Sequence, residues 1–308
     1  MSKEYFSFLS SDDKTWIHGV RWIPQNKTVA VLQIVHGMGE YAERYEELAE
    51  YLSERGILVV GHDHLGHGKT AKSEEDYGYF SEKNPSDTLI TDIHRLRMMI
   101  QQEQEGLPYF MLGHSMGSYL LRKYLSIYAE GLQGALILGT GFISRSKTKL
   151  AVAIVKSTAK MRGWRYRSKW ITDLTFGGPY RKFDLTGEDL SNSWLSKDAA
   201  LLKKYQDDPN FIFTLNGYLG LFETVAYSCD PENAKKIPKD LPMVLLSGDD
   251  DPVGDLGDGV KKVYGLYKKA GIKDLRCKLY ENDRHELVHE TDRNIVFHDI
   301  YVWIKKHI

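Results

Sequence analysis

One short run governs what this chain can fold into: Tyr109-Phe110-Met111-Leu112, followed by Gly113-His114-Ser115-Met116-Gly117. Four apolar residues predict a short buried strand, and the stretch from Ser118 to Leu125 carries helical periodicity. Strand, one sharp turn and helix is the setting that a Gly-x-Ser-x-Gly elbow requires. The turn forces Ser115 into a strained backbone conformation, and a Cβ at Gly113 or Gly117 would collide with the neighbouring strand or helix. The serine hydroxyl then projects above the sheet edge at a helix N-terminus, where backbone N–H groups favour developing negative charge.

The flanking sequence supplies the sheet this elbow needs. Tyr5–Leu9 and Thr15–Ile23 read as an antiparallel pair. Val29–Val35 is a continuous apolar strand of the kind covered on both faces. It ends in His36-Gly37-Met38-Gly39-Glu40, and an amphipathic helix follows to about Arg55. Further strands are expected at Ile57–Gly61, Ala135–Gly139, Met243–Leu246 and Leu275–Tyr280, with helices near 85–105, 258–270 and 292–306. This alternation predicts an α/β fold with a mostly parallel sheet. It stops between about 144 and 219, where helix-like pieces at Lys149–Met161 and Asp198–Tyr205 and turns at 176–179 and 207–210 predict a helical insertion. The expected domains are a core of 1–143 and 220–308 and a cap of 144–219.

Composition narrows the function classes. A net charge of −1 over 308 residues gives no general argument for nucleic acid. The charged start and the absence of any apolar run of about 18 residues predict neither a secretory signal nor a membrane span. Cys229 and Cys277, alone and far apart, read as free thiols in a reducing compartment, so the expected location is cytoplasmic.

A nucleophilic serine also needs a base, an orienting acid and an oxyanion hole. The last strand runs into Asp283-Arg284-His285-Glu286, which makes His285 the base in preference to His289. The acid should follow the preceding strand, where Asp249, Asp250 and Asp251 stand together and Asp255 lies just beyond. The oxyanion N–H groups would come from Met116, directly after the nucleophile, and from Met38 in the earlier glycine-rich loop. Each part occurs once, in order, at the end of an expected strand.

The runs His36-Gly37-Met38-Gly39-Glu40 with Arg44-Tyr45, Gly61-His62-Asp63 with Gly66-His67-Gly68, and Gly113–Gly117 resemble the monoglyceride lipase and lysophospholipase branch of the α/β-hydrolases. The Asp249–Val253 loop and Arg284-His285-Glu286 extend the likeness over nearly the whole chain. The resemblance implies an α/β-hydrolase fold with a helical cap and an ester-cleaving triad of Ser115, Asp251 and His285. It also implies Met38 and Met116 as oxyanion donors, and Glu40 and Arg44 at the alcohol end of the pocket. It selects Asp251 over Asp249, because the family acid lies three residues after the strand's glycine. One departure stands out: the family's second histidine falls three residues past the catalytic one, whereas His289 lies four past. No cofactor is implied.

Three other readings start from the residues. His62, His64 and His67 have spacing reminiscent of a metal site, but the aspartate such motifs place before the third histidine is Gly66, so no metal is expected. Between 144 and 183 eleven Lys and Arg face a single acid, Asp173, a local balance of +10; this is either a solvated surface or one that touches lipid. Aminopeptidase activity, with Glu188-Asp189 holding an amino group, and ligand binding without catalysis are the alternatives to ester hydrolysis.

Overall fold

The computed structural model describes residues 1–205 and 213–308. The turn expected at 207–210 lies outside the described residues. The chain begins with the antiparallel pair β1 (Ser2–Leu9) and β2 (Trp16–Ile23), which is partly exposed because β1 is a sheet edge. The next five strands are buried along their whole length: β3 (Ala30–Val35), β4 (Ile57–His62), β5 (Tyr109–His114), β6 (Gly134–Leu138) and β7 (Met243–Gly248). The more exposed β8 (Leu275–Tyr280) forms the other edge. Together they make one eight-stranded sheet in the order β1-β2-β4-β3-β5-β6-β7-β8, parallel from β4 through β8. Every strand expected from the sequence is present.

Ten α-helices occur among the described residues. They are α1 (Glu46–Ser53), α2 (Pro85–Glu103), α3 (Met116–Tyr128), α4 (Arg145–Arg162), α5 (Lys169–Thr175), α6 (Ala199–Lys204), α7 (Leu215–Ser228), α8 (Pro231–Ala234), α9 (Asp258–Ala270) and α10 (Arg293–Lys306). Alternate strand residues point to opposite faces of a sheet, so β5 feeds two cores. Tyr109 and Met111 pack with α2 and α3 on one face, while Phe110 and Leu112 pack with α1 and α10 on the other. Apolar burial on both faces explains why the central strands read as continuous hydrophobic runs.

The insertion between β6 and β7 holds α4, α5 and α6. The boundary expected at 219/220 falls inside α7. That helix is anchored to the core by the Asn216 side chain, which accepts from Phe80 N at 2.9 Å and donates to Ser81 O at 2.6 Å. Its Leu215, Tyr218, Leu219 and Val225 are buried, so it behaves as a core helix that also supports α4. Strand–helix alternation alone carries no signal for such a dual role.

Candidate active site

The turn between β5 and α3 holds Ser115 at φ 52°, ψ −122°, backbone that L-residues rarely adopt. A Cβ on Gly117 would overlap the Val35 carbonyl oxygen, and one on Gly113 would overlap that of Gly117, so larger residues are excluded from both positions. Two hydrogen bonds fix the turn. Ser115 N donates to Leu138 O at 3.1 Å, and Ser118 Oγ donates to Ser115 O at 2.6 Å.

The loop after β3 lies against this serine. A Cβ on Gly37 would stand 2.9 Å from Ser115 Cβ, so glycine permits the approach. The loop is folded by Glu40, whose carboxylate accepts from Gly37 N at 2.9 Å and from the Tyr45 hydroxyl at 2.6 Å. The Met38 N–H has no acceptor among the described residues. Met116 is the first residue of α3, where N–H groups lack intrahelical partners. Both expected donors are therefore free to receive an anion.

Of the aspartates after β7, it is Asp251 that meets the histidine. His285 Nδ1 lies 3.0 Å from Asp251 Oδ2, with both residues buried. The carboxylate is oriented by Val253 N, which donates to Oδ1 at 2.8 Å, and by Ser247 Oγ, which donates to Oδ2 at 3.2 Å. Asp249 is exposed and accepts from Asn282 N, Asp250 pairs with Lys182, and Asp255 pairs with Lys262. The second ring nitrogen of His285, Nε2, is buried and has no partner among the described residues.

Glu40 and Arg44 are occupied by other protein groups. Glu40 Oε1 lies 2.8 Å from His114 Nδ1. Arg44 Nη2 donates to both oxygens of Glu286, at 3.0 and 2.8 Å, and its guanidinium stacks 4.4 Å from the Tyr205 ring. His289 uses both nitrogens, Nδ1 at 2.8 Å from Glu286 Oε2 and Nε2 at 2.8 Å from Arg44 O, which leaves no ring atom for a ligand. Burial disfavours charge on the His114 imidazole, but the adjacent Glu40 carboxylate outweighs it and lifts the group to about 9. Burial likewise works against ionised Glu286, and Arg44 with His289 reverses this, holding it at about 2. The result is a buried, internally compensated ion cluster joining the loops after β3 and β8 to the end of β5. Sequence reasoning missed it because its members lie far apart in the chain. The Gly-His-Ser order of the elbow does, however, place a histidine beside Ser115.

His62, His64 and His67 are buried together with His36, with ring centroids 4.1 Å apart for His36–His64 and 4.7 Å for His62–His64. No cluster with metal-site character is found among the described residues. Of the cap cations, Arg165 and Arg167 donate to carbonyl groups of the 74–77 loop, and Lys156 pairs with Glu223. Lys147, Lys149, Lys160 and Lys169 have no ionic partner among the described residues. No helix among these residues is long and apolar enough to cross a membrane.

A mostly parallel sheet with a serine elbow after β5, an acid after β7 and a histidine after β8 is the α/β-hydrolase arrangement. The family model Hydrolase_4, described as serine aminopeptidase, S33, matches residues 26–292, and the chain belongs to this family. Monoglyceride lipase of Homo sapiens is 28% identical over 288 residues, covering 92% of this chain and 85% of that protein. A monoglyceride lipase homolog of monkeypox virus is 28% identical over 298 residues and 95% of each chain. Among solved structures, a thermostable carboxyl esterase from Bacillus coagulans in complex with glycerol aligns with TM-score 0.91 and 28% identity, covering 99% of both chains. A soluble variant of monoglyceride lipase from Saccharomyces cerevisiae, in complex with a substrate analog, shares the fold at TM-score 0.77 and 24% identity. That alignment covers 99% of this chain and 94% of that one.

Proposed function

We propose that this chain is a serine ester hydrolase of the monoacylglycerol lipase type, with lysophospholipids as a related substrate class. The observation that carries the reading is the buried 3.0 Å contact between His285 Nδ1 and Asp251 Oδ2, with the His285 ring 4.7 Å from that of His114, the residue before the elbow serine. In this mechanism His285 Nε2 takes the Ser115 proton as Oγ attacks the ester carbonyl. The N–H groups of Met38 and Met116 hold the oxyanion, and His285 returns the proton to the leaving alcohol. Water then attacks the acyl-serine by the same route, so the residues supply all the proton transfers. Glu40 and Arg44 act by shaping the loop beside the alcohol end rather than by gripping the alcohol, since their charged atoms already have partners.

The cap, 144–219, would receive the acyl chain and meet a lipid surface. Supporting this are Leu150, Met161 and Trp170, which are 63%, 78% and 59% exposed, interleaved with Lys147, Lys149, Lys160 and Lys169, which have no ionic partner among the described residues. Such a face suits an anionic interface. The cytoplasm remains the proposed location. Aminopeptidase activity is the second reading, favoured by the family description. Against it, Glu188 and Asp189 are exposed, and Asp189 is bonded to Ser191, far from the buried carboxylate an amino group would need.

The test is a fluorophosphonate probe combined with a panel of acyl esters differing in chain length and leaving group. Labelling and hydrolysis that both vanish in Ser115→Ala are expected. A probe that labels nothing, with every ester intact, would leave a binding protein on a hydrolase scaffold.

A further inference from the structure

The last leg of the cap is fastened to the loop that carries His285. His285 N donates to Trp194 O at 3.4 Å, and Glu286 N donates to Leu195 O at 2.7 Å. Arg284 Nη1 donates to the carbonyls of Ser191 and Ser193 at 3.1 and 2.5 Å. Beside this seam the Trp194 indole lies 5.1 Å from the His285 imidazole, with the ring planes 35° apart. The indole is itself wedged by Tyr180 at 5.1 Å and Phe176 at 5.8 Å, so it is held against the histidine.

We propose that Trp194 is a positioning residue through which the cap stabilises the protonated form of His285 during ester cleavage. The inference rests on the assignment of His285 as the base. When Ser115 Oγ forms its bond to the carbonyl carbon, its proton passes to His285 Nε2 and the imidazole becomes a cation. The charged groups around that cation are Asp251 at Nδ1, His114 with ring centroids 4.7 Å away, and Glu40, which offsets His114 from 2.8 Å. Arg284 and Glu286 flank it on its own loop but are turned to the cap and to Arg44. The Tyr180 phenol, on the cap side, is kept neutral by burial, which pushes its ionisation well above the usual range. That leaves the indole as the uncharged π surface beside the cation, and an aromatic face within about 6 Å attracts a cation most strongly where water is excluded.

A contact that stabilises the imidazolium has a distinctive kinetic signature. Above the pH at which the base deprotonates, the reaction creates the cation, so losing the indole slows it. Below that pH the free enzyme already carries the cation, so the loss cancels. For Trp194→Leu, kcat/KM on a neutral p-nitrophenyl ester should fall roughly tenfold on the alkaline plateau, about 1.4 kcal/mol. The two profiles should then meet at acid pH, with Trp194→Phe recovering most of the rate. An indole that merely fills space predicts the same loss at every pH, and that result overturns the proposal, as does an unchanged rate.

A second measurement needs no turnover. In a Ser115→Ala background, emission with and without Trp194→Phe gives the Trp194 signal by difference. This signal should be quenched as the neighbouring imidazole protonates, and His285→Gln should abolish the pH dependence. A pH-independent signal, or one that survives His285→Gln, refutes the contact. If this titration succeeds while no ester is cleaved, it is the hydrolase reading that fails and not the contact.

Discussion

Acidification should unfold this protein steeply, and the slope follows from its buried groups. His36, His62, His64 and His67 are all fully buried. Burial holds His62 at about 3 and His67 at about 4, and keeps His36 and His64 well below 6.5. A group depressed in this way gives its full stability above its unfolded value of 6.5 and loses it as pH falls toward the folded value. Two aspartates work the other way, because burial raises Asp63 and Asp92 from 3.8 to about 6, so the folded state takes up their protons first. At about pH 5 the unfolded chain therefore binds about four extra protons at the histidines, and the folded one about two at the aspartates. At 1.36 kcal/mol per proton per unit, the net is about 2.7 kcal/mol per pH unit. Integrated from about pH 6.5 to about 5, where the aspartates enter only below about 6, the loss is about 5 kcal/mol, comparable to the whole stability of many domains. His114 adds nothing in this window. Lifted to about 9, it gives stability that is present below 6.5 and lost as pH rises through 9. Urea midpoints followed by circular dichroism at graded pH, with a constant m-value, measure the slope. His64→Asn should roughly halve it, whatever it does to absolute stability. A midpoint that stays flat between about pH 6.5 and 5 refutes the reasoning.

Two further outcomes follow from the site and the cap. Asp251→Asn should lower kcat by roughly 10⁴, as expected when the group orienting a catalytic histidine is removed, while Asp249→Asn stays near wild type; matched kinetics of the two variants check it, and equal losses would reject Asp251. Replacing Lys149 and Lys160 by Glu should weaken sedimentation with anionic vesicles and flatten its salt dependence, while hydrolysis of a soluble short-chain ester is unchanged. Arg165 and Arg167 are unsuited to that test because they hold the 74–77 loop.

What the sequence made legible was whatever depends on local pattern. Val29–Val35 and Tyr109–Leu112 announce central strands because both faces of the sheet are covered, and the glycines around Ser115 mark a turn that tolerates nothing larger. The geometry beyond these runs depends on segments meeting in space. Three adjacent aspartates look alike on paper, and they differ only in that the backbone turns Asp251 inward to the histidine. Glu40 and Arg44 were expected to face the alcohol. In the structure they also pair with His114, at the end of β5, and with Glu286, after β8, and no spacing rule connects them. Trp194 carried no signal at all, since an aromatic in an irregular stretch has no period to reveal what it will stack on.

The sheet order has a consequence for how the molecule comes into being. β6 ends at Leu138 and its neighbour β7 begins at Met243, so one edge of the sheet, β7 and β8, stays unbuilt while the intervening insertion is synthesised. A ribosome releases Ser115 long before Asp251 and His285. The emerging chain thus carries Ser115 without the Asp251–His285 pair. On the proposed assignment, reactivity arrives only when β7 and β8 complete that edge, so correct folding and the onset of catalysis coincide.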